Sequence, residues 1–162
     1  MNIGILIHSQ TGNTRMVAQN LSEKLKAAGH TVSILSVSAS NDGEADASKI
    51  MLTEKPDASP YDVLFFGAPV RGFMLSPVMQ AYISGLKSLQ GKKAGCFMTH
   101  FFPFAWMGGN SAMNQLLKAL QEKGAAVQDT AIVHWSKAAT RQAQIEAAAA
   151  KLSAGLGQQP KK

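Results

Sequence analysis

The sequence predicts a doubly wound α/β fold: a five-stranded parallel sheet with helices on both faces. Three observations predict it. Short, nearly unbroken apolar runs recur five times along the chain. Each is followed, directly or after a loop, by a stretch with helical spacing of its apolar residues. Glycines and cap residues separate the two kinds of segment. Strands without a polar alternation are covered on both faces, and strand–helix repetition gives parallel pairing. Right-handed crossovers then restrict the winding.

The elements follow in order. "IGILIH" (3–8) is the first strand, and Val17, Leu21, Leu25 and Ala28 mark a helix from Asn13 that Gly29 stops. "TVSIL" (31–35) is the second strand. Residues 36–60 are polar, with loop signals "SNDG" and "KPDASP"; a short helix fits Ala47 to Leu52. "DVLFFGA" (62–68) is the third strand, and Pro69 is expected to end it. Ser76 and Pro77 start a helix carrying Val78, Met79, Tyr82, Ile83 and Leu86 on one face. "KAGCFMT" (93–99) is the fourth strand. Met113, Leu116, Leu117 and Leu120 give the next helix, which Gly124 stops. "AVQDTAIVHW" (126–135) is the fifth strand, and "AATRQAQIEAAAAKL" the last helix. This divides the chain into one domain, 1–157, and a flexible tail, 158–162.

With 162 residues, 46% hydrophobic and 16% charged, the chain can bury one core. No apolar run approaches the ~18 to 20 residues of a membrane helix, and the N-terminus lacks a secretory pattern, so the expected location is cytoplasmic. The single cysteine, Cys96, excludes an intrachain disulfide and a thiolate cluster. Net charge is +6: residues 42–62 are acidic, whereas residues 63–162 hold most of the basic side chains. Those lysines are scattered without interleaved aromatics, which argues against nucleic acid.

Doubly wound sheets bind ligands beyond the C-terminal ends of their strands. The loops after strands one, three and four therefore carry the function. In the first, "SQTGNT", Ser9, Gln10, Thr11, Gly12, Asn13 and Thr14 meet a helix N-terminus, where unpartnered amides and the dipole favour an anion. Capping by Asn13 or Thr14 explains one of these side chains; a phosphate explains the set. The second runs "GAPVRGFMLSP" (67–77), with Pro69, Val70, Arg71, Gly72, Phe73 and Met74; Arg71 could equally be a solvated loop residue. The third, "THFFPFAWMGG" (99–109), gathers Thr99, His100, Phe101, Phe102, Phe104, Trp106, Gly108 and Gly109. Aromatics there suit the core, an interface or a flat aromatic ligand. A phosphate cradle beside apolar loops describes a phosphorylated planar ligand, a flavin mononucleotide (FMN).

These segments resemble the flavodoxin family over nearly the whole chain. "SQTGNT" resembles its Ser/Thr-x-Thr-Gly-Asn-Thr phosphate loop, "YDVLFFGAPVRGFMLSPVMQAYI" its third strand and flavin loop, and "GKKAGCFMTHF" its fourth strand and loop. The uninterrupted fifth strand resembles the short-chain members. The resemblance implies the strand order 2-1-3-4-5, with Ser9 to Thr14 on the phosphate, Pro69 to Met74 on one side of the isoalloxazine and Thr99 to Gly109 on the other. It implies electron transfer between redox partner proteins. "PVRG" and the Gly108–Gly109 pair also resemble NAD(P)H:quinone oxidoreductases of this fold, so an enzyme acting on NAD(P)H and a quinone is the alternative. A flavin-free interaction module is the third reading. The chain departs from the acidic carriers in being basic and in having phenylalanines and a tryptophan where they present acidic residues and a tyrosine. Arg71 and the basic C-terminal portion then predict a two-electron potential above that of an acidic relative.

Other chemistries fit less well. His8, His100 and His134 end strands one, four and five, but strand three separates strands one and four. No carboxylate lies beside any of them, which speaks against a zinc site. The acidic cluster of a phosphorylated receiver domain is missing after strand one. Cys96 lies mid-strand, away from any phosphate loop, and a Gly-x-Ser-x-Gly elbow does not occur.

Overall fold

The computed structural model describes residues 1–101 and 108–156. Five strands, β1 (Asn2–Ile7), β2 (Thr31–Ser36), β5 (Val63–Arg71), β7 (Lys93–His100) and β8 (Ala126–His134), pair in parallel in the order β2-β1-β5-β7-β8, as expected. Four helices, α1 (Asn13–Ala27), α2 (Pro77–Ser84), α3 (Gly109–Glu122) and α4 (Arg141–Ala154), cover its faces. The unbroken apolar strands sort by alternation, because successive side chains leave a strand on opposite sides. Leu6, Leu64, Phe66, Cys96 and Met98 pack with α2 and α3. Ile3, Ile5, Ile7, Phe65 and Phe97 pack with α1 and α4.

Three local expectations are corrected. Pro69 does not end the third strand: β5 continues to Arg71 and turns through Gly72 and Phe73 into β6 (Met74–Leu75), with Val70 opposite Leu75. Both turn residues have positive φ, 52° and 66°, the geometry that matches the twist of a tight hairpin. Pro69 is tolerated because the ladder to β1 has already ended at Gly67, so a missing N–H breaks nothing on that side. The segment 36–60 is not plain loop; β3 (Ser38–Ala39) and β4 (Leu52–Glu54) form a small antiparallel sheet. Between them the expected short helix is one 3-10 turn, Ala47–Lys49, capped by Asp46 through Ser48 N–H at 2.9 Å. Among the described residues no helix is long and apolar enough to cross a membrane.

Candidate functional site

The end of β1 delivers the chain into α1 with little conventional capping. The N-cap is Gly12, with φ 89°, which has no side chain to cap the helix. Ser9 Oγ accepts from Arg15 N–H at 3.3 Å, while the amides of Asn13 and Thr14 meet no acceptor among the described residues. A Cβ on Gly12 would find open space, so no protein atom crowds that backbone. Asn13 and Thr14 sit inside the first turn, and neither serves as the cap that the simpler reading requires. Thr14 is buried, and its Oγ1 lies 3.0 Å from Thr99 Oγ1, which ties this loop to the end of β7.

A cleft of about 250 Å3 opens here, lined by Gln10, Thr11, Asn13, Thr14, Pro69, Val70, Arg71, Thr99, His100, Phe101 and Trp135. It lies at the switch point, where β1 and β5 meet at the sheet centre. The three loops singled out by the sequence are thus brought together. Gly72, Phe73 and Met74 sit at the hairpin tip rather than in the cleft wall, with Phe73 54% and Met74 50% exposed. Gly108 caps α3 at φ 104°, and a Cβ there would come within 2.6 Å of Phe73 Cα, so this glycine lets the hairpin tip pack close. Gly109 underlies His100, whose Nδ1 would be 3.3 Å from an added Cβ. Phe102, Phe104 and Trp106 lie outside the described residues, as does the proposed tail 158–162.

Two features were missed. Trp135, just past β8, joins the cleft wall, and the Arg141 guanidinium lies 4.8 Å from its ring centroid. Arg141 Nε also donates to the Trp135 backbone carbonyl at 2.9 Å, so one side chain meets both the ring and the backbone of this residue. The aromatic and the helical arginine are legible separately, but their pairing needs the turn between them.

The second is a polar network behind the cleft. The expectation that no carboxylate adjoins the histidines fails for His8. Asp42 comes from the polar segment and places Oδ2 3.0 Å from His8 Nε2. Its Oδ1 pairs with Arg71 Nη2 at 2.7 Å, and its backbone carbonyl accepts from Arg71 Nη1 at 2.7 Å. Arg71 is therefore a fixed, partly buried residue rather than a solvated loop arginine. Burial is the largest influence on His8 and lowers its pKa, outweighing the hydrogen bond and charge of Asp42. Burial alone would raise the Asp42 carboxyl, but its hydrogen bonds to His8 and Arg71 hold it below the usual range. An ionised carboxylate only accepts, so His8 Nε2 carries the proton and Nδ1 accepts from Ser76 Oγ–H at 2.6 Å. Ser76, His8 and Asp42 line up as hydroxyl, imidazole and carboxylate, yet Ser76 is 0% exposed and its oxygen accepts from Met79 N–H. A sealed N-cap serine cannot be a nucleophile. Among the described residues no group of three or more potential ligands is disposed to hold a metal.

The fold and site define a doubly wound α/β protein whose cleft, at the sheet's switch point, offers neutral donors and a helix N-terminus. A flavodoxin family model matches residues 5–155, and the chain belongs to the flavodoxin family. No curated protein matches the sequence. Solved structures share the fold. A flavodoxin of Pseudomonas aeruginosa superposes with a TM-score of 0.69 at 18% identity, over 98% of this chain and 100% of its own. A Streptococcus pneumonia flavodoxin gives 0.67 at 20% identity, over 95% and 99%. A short-chain flavodoxin associated with a bacterial microcompartment gives 0.68 at 16%, over 97% of each chain.

FMN is the cofactor of this family, and the residues present fit it. The unpartnered amides and open Gly12 backbone suit a phosphate, and Pro69, Val70, Phe101 and Trp135 offer apolar walls to a flat ring.

Proposed function

We propose that the chain binds FMN in the cleft beyond β1, β5 and β7 and carries electrons between redox partner proteins. The observation that carries this reading is the start of α1, where the amides of Asn13 and Thr14 meet no described acceptor behind a left-handed Gly12, and Ser9 takes the Arg15 N–H. When bound, FMN supplies the ring that accepts and donates electrons.

The chain binds and orients it. Ser9, Gln10, Thr11, Gly12, Asn13 and Thr14 hold the phosphate with neutral donors and the helix dipole. The Thr14 hydroxyl accepts from Thr99 while donating to the phosphate, which uses both of its capacities. Pro69, Val70 and Arg71 flank one side of the ring. Thr99, His100 and Phe101 flank the other, and Trp135 joins them. Apolar walls keep water from the ring, and the exposed Phe73, Met74 and Phe101 suit contact with a partner protein's surface.

An absorption spectrum of the purified protein, with cofactor identification, tests the reading. Bound FMN without steady turnover of NADPH and a quinone is expected. Steady turnover makes the protein a quinone reductase, and a colourless protein that rejects added FMN overturns the site.

A further inference from the structure

We propose that Asp42 is a positioning residue for the cleft: it fixes Arg71 in the wall and cancels the charge that Arg71 brings there. This rests on the reading of the cleft as an FMN site. Arg71 is the one arginine among the described cleft-lining side chains, which include no lysine and no carboxylate. Alone, its guanidinium would stabilise negative charge added to a bound ring on reduction. It is not alone, because Asp42 holds it at Oδ1 and at the backbone carbonyl, each at 2.7 Å. At that separation the two charges act on a neighbour as a dipole, and the field of the arginine falls off steeply.

The carboxylate is itself held. Its other oxygen takes the His8 Nε2–H at 3.0 Å, His8 takes the Ser76 hydroxyl at 2.6 Å, and Ser76 caps α2 through Met79 N–H at 3.2 Å. The end of β1, the start of α2 and the end of β5 thereby grip one side chain of the polar segment. His8, 2% exposed, contributes no second cation, since its burial favours the neutral ring. Nothing about anchoring a surface segment requires that it end on the cleft arginine. A carboxylate there, backed by a buried chain of hydrogen bonds, has an electrostatic consequence that a neutral anchor would lack.

The test uses Asp42→Asn, Arg71→Gln and the double variant, each loaded with FMN. The midpoint potential is measured by spectroelectrochemistry and the affinity for oxidised FMN by fluorescence titration. Asp42→Asn is expected to raise the potential, changing the ratio of reduced to oxidised affinity by about tenfold, and Arg71→Gln to lower it by a similar factor. The double variant returns close to wild type. A purely structural tie would instead move both single variants the same way and leave the double no better. FMN binding with potentials that shift together, or stay put, overturns the inference alone. Wild-type protein that does not bind FMN overturns the proposed site and the inference with it.

Discussion

Replacing Thr14 with valine separates two jobs that one hydroxyl performs. Thr14 is 1% and Thr99 5% exposed, and their oxygens are 3.0 Å apart. Valine keeps the shape and removes the oxygen, so no cavity opens. Thr99 is left with a buried hydroxyl that has lost its partner, which costs about 1–3 kcal/mol of stability. The same substitution removes a donor to the phosphate, and a hydrogen bond to a charged group contributes about 1.5–3 kcal/mol, a loss of roughly 10- to 150-fold in FMN affinity. Adding Thr99→Val removes the orphaned hydroxyl, and loss of both partners at constant shape is nearly neutral. Urea unfolding of the apoprotein should therefore show the single variant destabilised and the double recovered. Flavin fluorescence titration should show both variants weakened alike. A double variant that recovers stability and FMN affinity together would refute the phosphate role of Thr14. A single variant as stable as wild type would refute the buried hydrogen bond.

Three further outcomes are expected. Gly67→Ala would set a Cβ 2.2 Å from Phe97 Cε2, so it should destabilise by about 1–3 kcal/mol in urea melts, and by less in a Phe97→Leu background; equal losses in both backgrounds would refute the clash. Burial pushes the Cys96 thiol up to about 12, so iodoacetamide should label it at mildly alkaline pH only after unfolding; rapid labelling of the native protein would contradict this. His8 has a native pKa below 6.5, so the unfolded chain takes up its proton more readily and stability falls as pH drops below 6.5 through the native value. Asp42, lowered from 3.8, removes stability in the same direction further into acid. Urea midpoints should decline from about pH 7.5 to about pH 5, less steeply for His8→Gln; an unchanged slope in that variant would acquit His8.

What the sequence revealed and what it hid divide along the range of the interactions. The strands and helices rest on local periodicity, and the proposed phosphate loop on consecutive residues, so β1 and the start of α1 could be read without knowing anything distant. Val70 to Leu75 carried a local signal that was outweighed: "RGF" allows a tight turn, but Pro69 argued for a strand end, and only the earlier termination of the β1 ladder removes that objection. The strands β3 and β4 are two and three residues long, too short for an alternation to register. Asp42 was invisible as a site residue for a stronger reason. It sits 34 residues from His8 and 29 from Arg71, in a run that reads as solvated loop, and no spacing rule links the three. Trp135 lay in plain view at the end of the last strand, and only the sheet order, which sets β8 beside β7, brings it into the cleft wall next to His100.

The same network changes the meaning of the net charge. A basic chain with an arginine in its flavin loop suggests a cofactor in a positive field. The described cleft, however, holds Arg71 already paired with Asp42. Several of the other cations are spent on backbone carbonyls outside the cleft lining: Lys92 Nζ donates to Ser59 O and Tyr61 O, Lys123 Nζ to Ser84 O and Leu86 O, and Lys151 Nζ to Thr130 O. Lys92 and Lys123 sit at the N-terminal edge of the sheet, the opposite end from the switch point. Charges at that range are screened by solvent and salt over about 10 Å. The potential of a bound flavin should then follow the local pair and not the chain's formal +6. Raising the salt concentration tests this: the midpoint should move little, because the pair is partly buried and the distant lysines are already screened. A large fall in potential with added salt would mean that the distant charges govern the site after all.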